Sequence, residues 1–533
     1  MAIELGRRRL QRAVASGGTA PTVVIVGGGL SGLAMAAQLR RSGVTGVTVF
    51  ERSGGVGGTW RDNTYPGAGC DVPSHLYSFS FARKSDWSRR YADQPEILGY
   101  AESLVDRFDL GASLRLSTTV TSAHYDDECA RWRVDFEGPD GPGELEADVL
   151  VLACGQLNRP AIPDLDGLEG FTGPAWHSAR WDHTVDLAGT RVGVIGSGAS
   201  AIQFVPRVAA EAGHVTIFQR TPNYVAPKRD RAYQGVERRL LEGVRPYELL
   251  YRWCIYWGLE LRWPVFRRPG LAGRLLGRTF RRKLRAGVVS ERLPGPAIVP
   301  DYPVGCKRIL ISNEWYPALL RPDVDVVTAP VTRVEEDAVV TGDGERHPVD
   351  VLIFGTGFET TSFLSHVPVR GVGGVSLADA WRGGARAHLG ITVPGFPDCF
   401  LLYGPNTNLG HNSILFMVER QVNWILQALA VRAEASAGDR RATATVAVRH
   451  DVADRSDLWT QRLAARTTWA AGCTSWYKNA TGRITNNWPS WTVRYWADTL
   501  VLRRGDLEVA PVPLDRRHQP SHEPSPDPQA AAG

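Results

Sequence analysis

Two glycine-rich turns, each set between a short apolar strand and a helix, constrain what this chain can fold into more than any other feature. The first lies in PTVVIVGGGLSGLAMAAQLRRSGVTGVTVFERS, where Gly27, Gly29 and Gly32 form GxGxxG. An apolar run from Thr22 to Val26 precedes it, helical periodicity follows through Leu39, and a second strand, Val47 to Phe50, ends at Glu51. The first glycine permits a tight turn, the second lets a pyrophosphate approach bare backbone, and the third lets helix and strand pack closely. The helix N-terminus then faces the phosphates, and Glu51 can accept hydrogen bonds from a ribose 2′-hydroxyl. A second copy, TRVGVIGSGASAIQFVPRVAAEAGHVTIFQRTP, carries Gly196, Gly198 and Ala201 as GxGxxA. Its next strand ends in Gln219, Arg220 and Thr221 in place of the acid. A carboxylate there would repel a 2′-phosphate, whereas Arg220 would attract one through charge-assisted hydrogen bonds. The first site therefore suits FAD and the second NADPH.

Strands alternating with helices around two such turns predict an α/β fold with two Rossmann-like dinucleotide-binding domains. At 533 residues the chain is too long for one ordinary core. VLVLACGQLNRP (149–160) and VDVLIFGTGFETT (349–361) each end a strand at a glycine, and are the expected crossings between domains. The NADPH domain is then inserted in the FAD domain. The expected divisions are a frayed or partly helical extension over 1–20 and an FAD domain over 21–160, resumed with a C-terminal region over 331–511. The NADPH domain takes 161–228 and 295–330, with an added helical lobe over 229–294. A Pro-rich polar tail over 512–533 is expected to be disordered.

An apolar content of 43% and a charged content of 22% are those of a soluble globular protein. The apolar runs are strand-length, none approaching a bilayer span, and no apolar segment follows the N-terminal RRR, so a cytoplasmic location is expected. Seven widely spaced cysteines with no CxxC pair argue for reduced thiols, against a redox-active disulfide, and for no metal site. Between Lys228 and Arg292 stand 17 basic and 6 acidic residues, in helices rich in Trp, Tyr and Arg. The first reading is a lobe packed on the core with solvated arginines, the second a substrate-pocket wall. Weak peripheral membrane association comes behind these, without stable insertion, and nucleic-acid binding is not expected. Oligomeric state is not legible.

FTGPAWHSARWD (171–182) places Phe171, Gly173, His177, Trp181 and Asp182 in the pattern FxGxxxHxxxW[PD]. With GGTWRDNTYPGAGCDVPSHLYSFSF, QPEIL, GCKRILISNEWYPAL, GTGF, YGPNTNLG and SWY, the chain from Pro21 to Trp496 resembles the type I Baeyer–Villiger monooxygenases of the flavin-containing monooxygenase superfamily. Several stretches are similar to the subgroup with 4-hydroxyacetophenone and ethionamide-activating monooxygenases. The resemblance implies that NADPH reduces FAD, that O₂ then gives a C4a-peroxyflavin, and that a small-molecule ketone is converted to an ester or lactone. It implies Arg308 as the cation that stabilises the anions of this reaction, and Asp71 as the acid that orients Arg308. Lys307 would join Arg220 and Thr221 at the 2′-phosphate. Gly58, Thr59 and Trp60 resemble the loop over the flavin, and Tyr77 a residue at its ring. Ser31, Cys70, Val120, Ser197, Gly198, Ala199, Ser200, Ala201 and Gln203 complete the implied cofactor contacts, with Trp476 on a mobile loop over the nicotinamide. Many relatives carry an arginine where this chain has Gly69, which implies a roomier ketone pocket. The five fingerprint residues resemble a hinge between domains, and His177 is given no proton-transfer role. Two alternatives stand beside this reading: an N- or S-oxygenating flavin monooxygenase, which needs no peroxide-stabilising arginine, and a non-catalytic NADPH or flavin sensor.

Overall fold

Val23–Val26 is buried along its whole length, as a central strand of a parallel sheet covered on both faces must be. In the computed structural model, which describes residues 2–267, 270–360, 363, 367–437, 442–473 and 475–513, it lies in the middle of a five-stranded sheet. The order is Cys399–Leu401, Val149–Leu152, Val23–Val26, Val47–Phe50, Leu114–Arg115, and every pairing is parallel. A second parallel sheet runs Val324–Val327, His214–Phe218, Arg191–Ile195, Val351–Phe354, Ala175–His177. All its strands fall between Leu152 and Cys399, so the second unit is inserted in the first. The lobe forms helices Gly235–Gly243, Arg245–Glu260 and Leu271–Gly287.

Three expectations are corrected, and the partly helical N-terminal extension is given its bounds. Val351–Phe354, placed in the resumed first domain by a boundary at 330, is a strand of the second sheet, in register with Val192–Ile195. A fully apolar four-residue run fits either parallel sheet, and only its long-range partner decides. The N-terminal extension is a helix, Ala2–Ala15, docked on the helix Ile414–Ala435. Leu10 is fully buried there, and Arg9 pairs with Glu434 at 2.9 Å. Ile414–Ala435 is itself long and apolar enough to span a bilayer, yet 89% of that window is buried, which makes it the core helix of the first unit. The strand Leu507–Pro513 pairs antiparallel with Ala442–Val448, so ordered chain continues past 511. Residues 514–533, the rest of the expected tail, lie outside the described residues.

Candidate active site

Backbone geometry at the first turn leaves room for a ligand and for nothing else. Gly27 has φ +111°, and a Cβ on Gly32 would stand 1.9 Å from the Gly27 carbonyl oxygen. The helix Leu30–Arg41 starts at Gly29 with no side chain capping it, so its first N–H groups remain free for an anion. Glu51 is fixed from two sides: Gly28 N donates to its Oε2 at 2.7 Å and Ser53 N to its Oε1 at 2.9 Å. A cavity of about 720 Å³ opens here, lined by Gly27, Gly29, Ser31 and Glu51. Gly58, Thr59, Trp60, Cys70, Tyr77 and Val120 line it further along. Trp60 Nε1 donates to the Tyr77 hydroxyl at 3.1 Å, locking two aromatic walls together. Burial raises the Cys70 thiol far above its ordinary pKa, so this residue contributes shape and not a thiolate. Gly32 sits behind the wall, in the packing position its fingerprint assigns it.

The second turn repeats the logic and reaches the same cavity. Gly196 has φ +103°, and a Cβ there would lie 2.5 Å from the Gly355 carbonyl oxygen. The helix Ala201–Glu211 also starts without a side-chain cap, and Gly198, Ala199, Ser200 and Gln203 line the cavity. Ser197 and Ala201 are buried behind it, Ala201 against Gly355. Gln203 joins the units: its Nε2 donates to the Gly69 carbonyl at 3.0 Å, and its Oε1 accepts from the Tyr65 hydroxyl at 2.9 Å. Arg220 and Lys307 both face the cavity, whereas Thr221 does not reach it. Burial, and then the Arg220 charge, lower the pKa of Lys307, whose Nζ rests 4.9 Å over the Tyr302 ring. Two like charges converging on open space fit a phosphate dianion, which would relieve their repulsion. The two uncapped helix starts, the fixed Glu51 and this cation pair therefore fit FAD at the first turn and a 2′-phosphorylated nicotinamide nucleotide at the second.

Between the turns stands an ion pair. Gly305, at φ +83°, lets the chain bend against Phe266, and Leu310–Ile311 then pairs with Val225–Ala226, which fixes the segment that carries Arg308. Arg308 Nη2 donates to Asp71 Oδ2 at 2.5 Å, although the two residues are 237 positions apart. Both line the cavity. Asp71 holds the guanidinium well above its already high pKa, so it is cationic at every working pH. Two phenols lie within electrostatic reach of it, Tyr403 and Tyr477, and both are kept neutral by burial, Tyr477 being pushed up to about 12. The Tyr403 hydroxyl donates to Asn408 Oδ1 at 2.7 Å, and Asn408 Nδ2 donates to Asn487 Oδ1 at 2.6 Å. Tyr403 itself has φ +58°, a conformation that non-glycine residues hold only where the surroundings fix it. Tyr403 stands in YGPNTNLG and Tyr477 in SWY, and neither tyrosine was assigned from the sequence, although each motif carries it as a signal.

The expectation of reduced thiols is corrected at this point. Cys306, directly before Lys307 and Arg308, forms a disulfide with Cys473, with Cα atoms 6.4 Å apart. The pair is 167 residues apart in sequence, so spacing could not reveal it. It ties the Arg308 segment to the chain that leads into Trp476, which lines the cavity.

None of the five fingerprint residues lines the cavity; they shape the edge of the second sheet. A Cβ on Gly173 would lie 2.1 Å from the Asp350 carbonyl oxygen, so only glycine lets Ala175–His177 pair with Leu352–Phe354. His177 Nδ1 accepts from Ala179 N at 3.1 Å, and its ring meets Phe358 edge-on at 5.6 Å, beside the Gly357 turn. Burial lowers its pKa, so the ring is neutral. Trp181 packs between Trp176 at 5.7 Å and Phe204 at 5.4 Å, and Phe204 in turn meets Tyr65 of the first unit at 6.0 Å. Phe171 packs in the small cluster under Phe218 and Leu352. Asp182 closes a turn, accepting from Thr184 N at 2.9 Å and Thr184 Oγ1 at 2.6 Å.

Comparison with known proteins agrees with this geometry. Residues 25–94 match the model of an NAD(P)-binding Rossmann-like domain. The chain is similar to a Baeyer–Villiger monooxygenase of Streptomyces coelicolor, with 42% identity over 91% of each chain. Its fold is similar to that of an oxidized steroid monooxygenase bound to NADP, at a TM-score of 0.79 and 31% identity, covering 92% of this chain and 100% of the other. It is also similar to the closed crystal structure of cyclohexanone monooxygenase, at a TM-score of 0.81 and 28% identity, covering 92% and 99%.

Proposed function

The chain belongs to the Baeyer–Villiger monooxygenases, and on that footing we propose that Arg308, held by Asp71, is the cation on which its oxygen insertion turns. It is an FAD-dependent, NADPH-consuming flavoprotein monooxygenase that inserts one atom of O₂ beside a ketone carbonyl, giving an ester or lactone. Bound flavin, reduced by NADPH, supplies the oxygen-transferring chemistry. The chain's own residues bind, orient and polarise.

The observation that carries the proposal is the convergence of both glycine turns and the Arg308–Asp71 pair on one cavity. Negative charge develops on the carbonyl oxygen as a nucleophile adds to it, and a guanidinium already placed in the cleft stabilises that charge without reorganising. Asp71 accepts one arm of the fork and aims the rest, so it is a positioning residue. Tyr403 and Tyr477 keep their protons, and that of Tyr403 is committed to Asn408, which holds the hydroxyl in place. Gly69, beside Asp71, lines the same cleft.

The first unit is assigned to FAD and the inserted second unit to NADPH. Within the second, Arg220 and Lys307 are assigned to the 2′-phosphate. Arg220→Ala is then expected to raise the KM for NADPH by about ten-fold or more while leaving that for NADH nearly unchanged. Steady-state NADPH and NADH oxidation compared side by side checks this, and an equal rise for both nucleotides would remove the assignment. The fingerprint residues are assigned to a hinge. Before Gly173, Phe171 grips the cluster under Phe218; after it, His177 grips the GTGF crossing and Trp181 the helix of the second turn, the anchors on either side of a glycine that a pivot needs.

The reaction itself is tested with ¹⁸O-labelled dioxygen, NADPH and a panel of ketones and thioethers, with product masses read out. One labelled atom in the ester is the expected result. Labelled sulfoxide with no ester from any ketone would favour the S-oxygenating alternative and overturn the proposal.

A further inference from the structure

The helix Arg245–Glu260 is amphipathic in the reverse sense for a surface helix. Glu248, Arg252 and Glu260 point inward, and of its charged side chains only Arg245, at its first position, is exposed. Arg252 donates to Ser78 Oγ at 2.8 Å and to the Ser78 carbonyl at 3.1 Å. Glu260, fully buried, accepts from Thr492 N at 2.6 Å and Asn412 Nδ2 at 2.8 Å. The outward side instead carries Leu249, Leu250 and Trp253, with half-buried Trp257 against Trp253 and Leu261 continuing it, a stripe about 18 Å long at helical rise. Leu250, Trp253 and Leu261 are 57%, 61% and 67% exposed. Of the sixteen large apolar side chains exposed among the described residues, eight fall between Val236 and Leu275. Scattered exposed apolar residues need no explanation, but half of them gathered in one lobe do.

The occupant is argued from charge. The lobe holds 16 basic against 6 acidic residues, and exposed Arg274, Arg278 and Arg282 recur on the next helix beside exposed Leu271 and Leu275. A second copy would bring two lobes of the same positive excess face to face, which like-charge repulsion opposes. An anionic lipid surface meets both properties, taking the Leu and Trp side chains below its headgroups and the arginines at their phosphates. We propose that this face docks reversibly on an anionic phospholipid bilayer. The opposite side of the same helix packs Ile255 and Leu259 on Leu76, with Val72 beside them, and Val72 lines the cavity next to Asp71. Docking therefore brings the wall of the cleft to within about one helix diameter, roughly 10 Å, of the lipid.

Co-sedimentation of the FAD-loaded full chain with phosphatidylcholine vesicles, with and without about one quarter phosphatidylglycerol, tests the idea. Binding to the anionic vesicles that weakens as salt rises is expected. Leu250→Glu/Trp253→Glu should lower the bound fraction at least about ten-fold, with FAD content and NADPH oxidation in solution unchanged. Should that pair fail to fold, Arg274→Glu/Arg278→Glu reads the electrostatic half of the proposal, on the neighbouring helix of the lobe, and should also release the protein from anionic vesicles. Wild-type protein that ignores anionic vesicles, or charge variants that bind as well as wild type, would overturn the proposal. So would a dimer in solution that Leu250→Glu/Trp253→Glu splits, which would assign the stripe to a second copy.

Discussion

Arg308→Ala is expected to lower ester formation by roughly 10²–10³-fold while the purified protein keeps its FAD and still oxidises NADPH. The argument is electrostatic. Arg308 is the cation that Asp71 holds in the cleft, and removing it leaves Asp71 as an uncompensated carboxylate beside the reacting carbonyl. The substitution thus withdraws a stabilising charge and leaves an opposing one. The glycine turns that hold the cofactors lie elsewhere in the cavity wall, so binding should survive. Arg308→Lys should recover part of the loss, since it restores charge without the fork that Asp71 orients. Because Asp71 raises the Arg308 pKa even further above the neutral range, no alkaline limb in the rate should trace to Arg308. Product analysis and NADPH consumption measured on one sample check this, and ester formation that survives in Arg308→Ala would remove Arg308 from the mechanism.

The sequence disclosed those parts of the site that depend on local backbone constraint. A glycine turn between strand and helix can be read because its requirements span a dozen residues, and the positions read that way stand at the cavity or directly behind it. Arg308 and Asp71 were reached only through motif wording, since 237 residues separate them and nothing local pairs them. The Cys306–Cys473 bond was misread for the same reason: its partners meet only once the inserted unit has folded back. Burial direction was the other blind spot. The apolar runs read as strand-length, yet Ile414–Ala435 is the long core helix of the first unit, while the Trp-rich Arg245–Glu260 presents its apolar side outward. Periodicity tells that a helix has two faces. Which face is covered depends on neighbours that composition does not reveal.

Gly32→Ala is expected to yield protein with little or no bound flavin, its FAD affinity lowered by about 10²-fold or more, with a fall in thermal stability. The added methyl would sit 1.9 Å from the Gly27 carbonyl oxygen, a backbone atom that cannot swing aside as a side-chain tip could. Relief requires the helix Leu30–Arg41 to lift from the strand Val23–Val26, and this drags the Gly27 turn and the uncapped helix start away from the place where the pyrophosphate lies. Gly27 has no slack of its own, since at φ +111° a Cβ would also lie 2.7 Å from the Ala153 carbonyl oxygen. Gly99→Ala is the matched control: it is helical, has nothing within 4 Å of the added Cβ, and should gain up to about 1 kcal/mol from helix propensity alone. Flavin absorbance per chain and the melting temperature of both variants separate the causes. A Gly32→Ala protein that stays yellow and melts like the wild type would mean that the helix accommodates the methyl without moving, and that close packing at the third glycine does not hold the phosphate site.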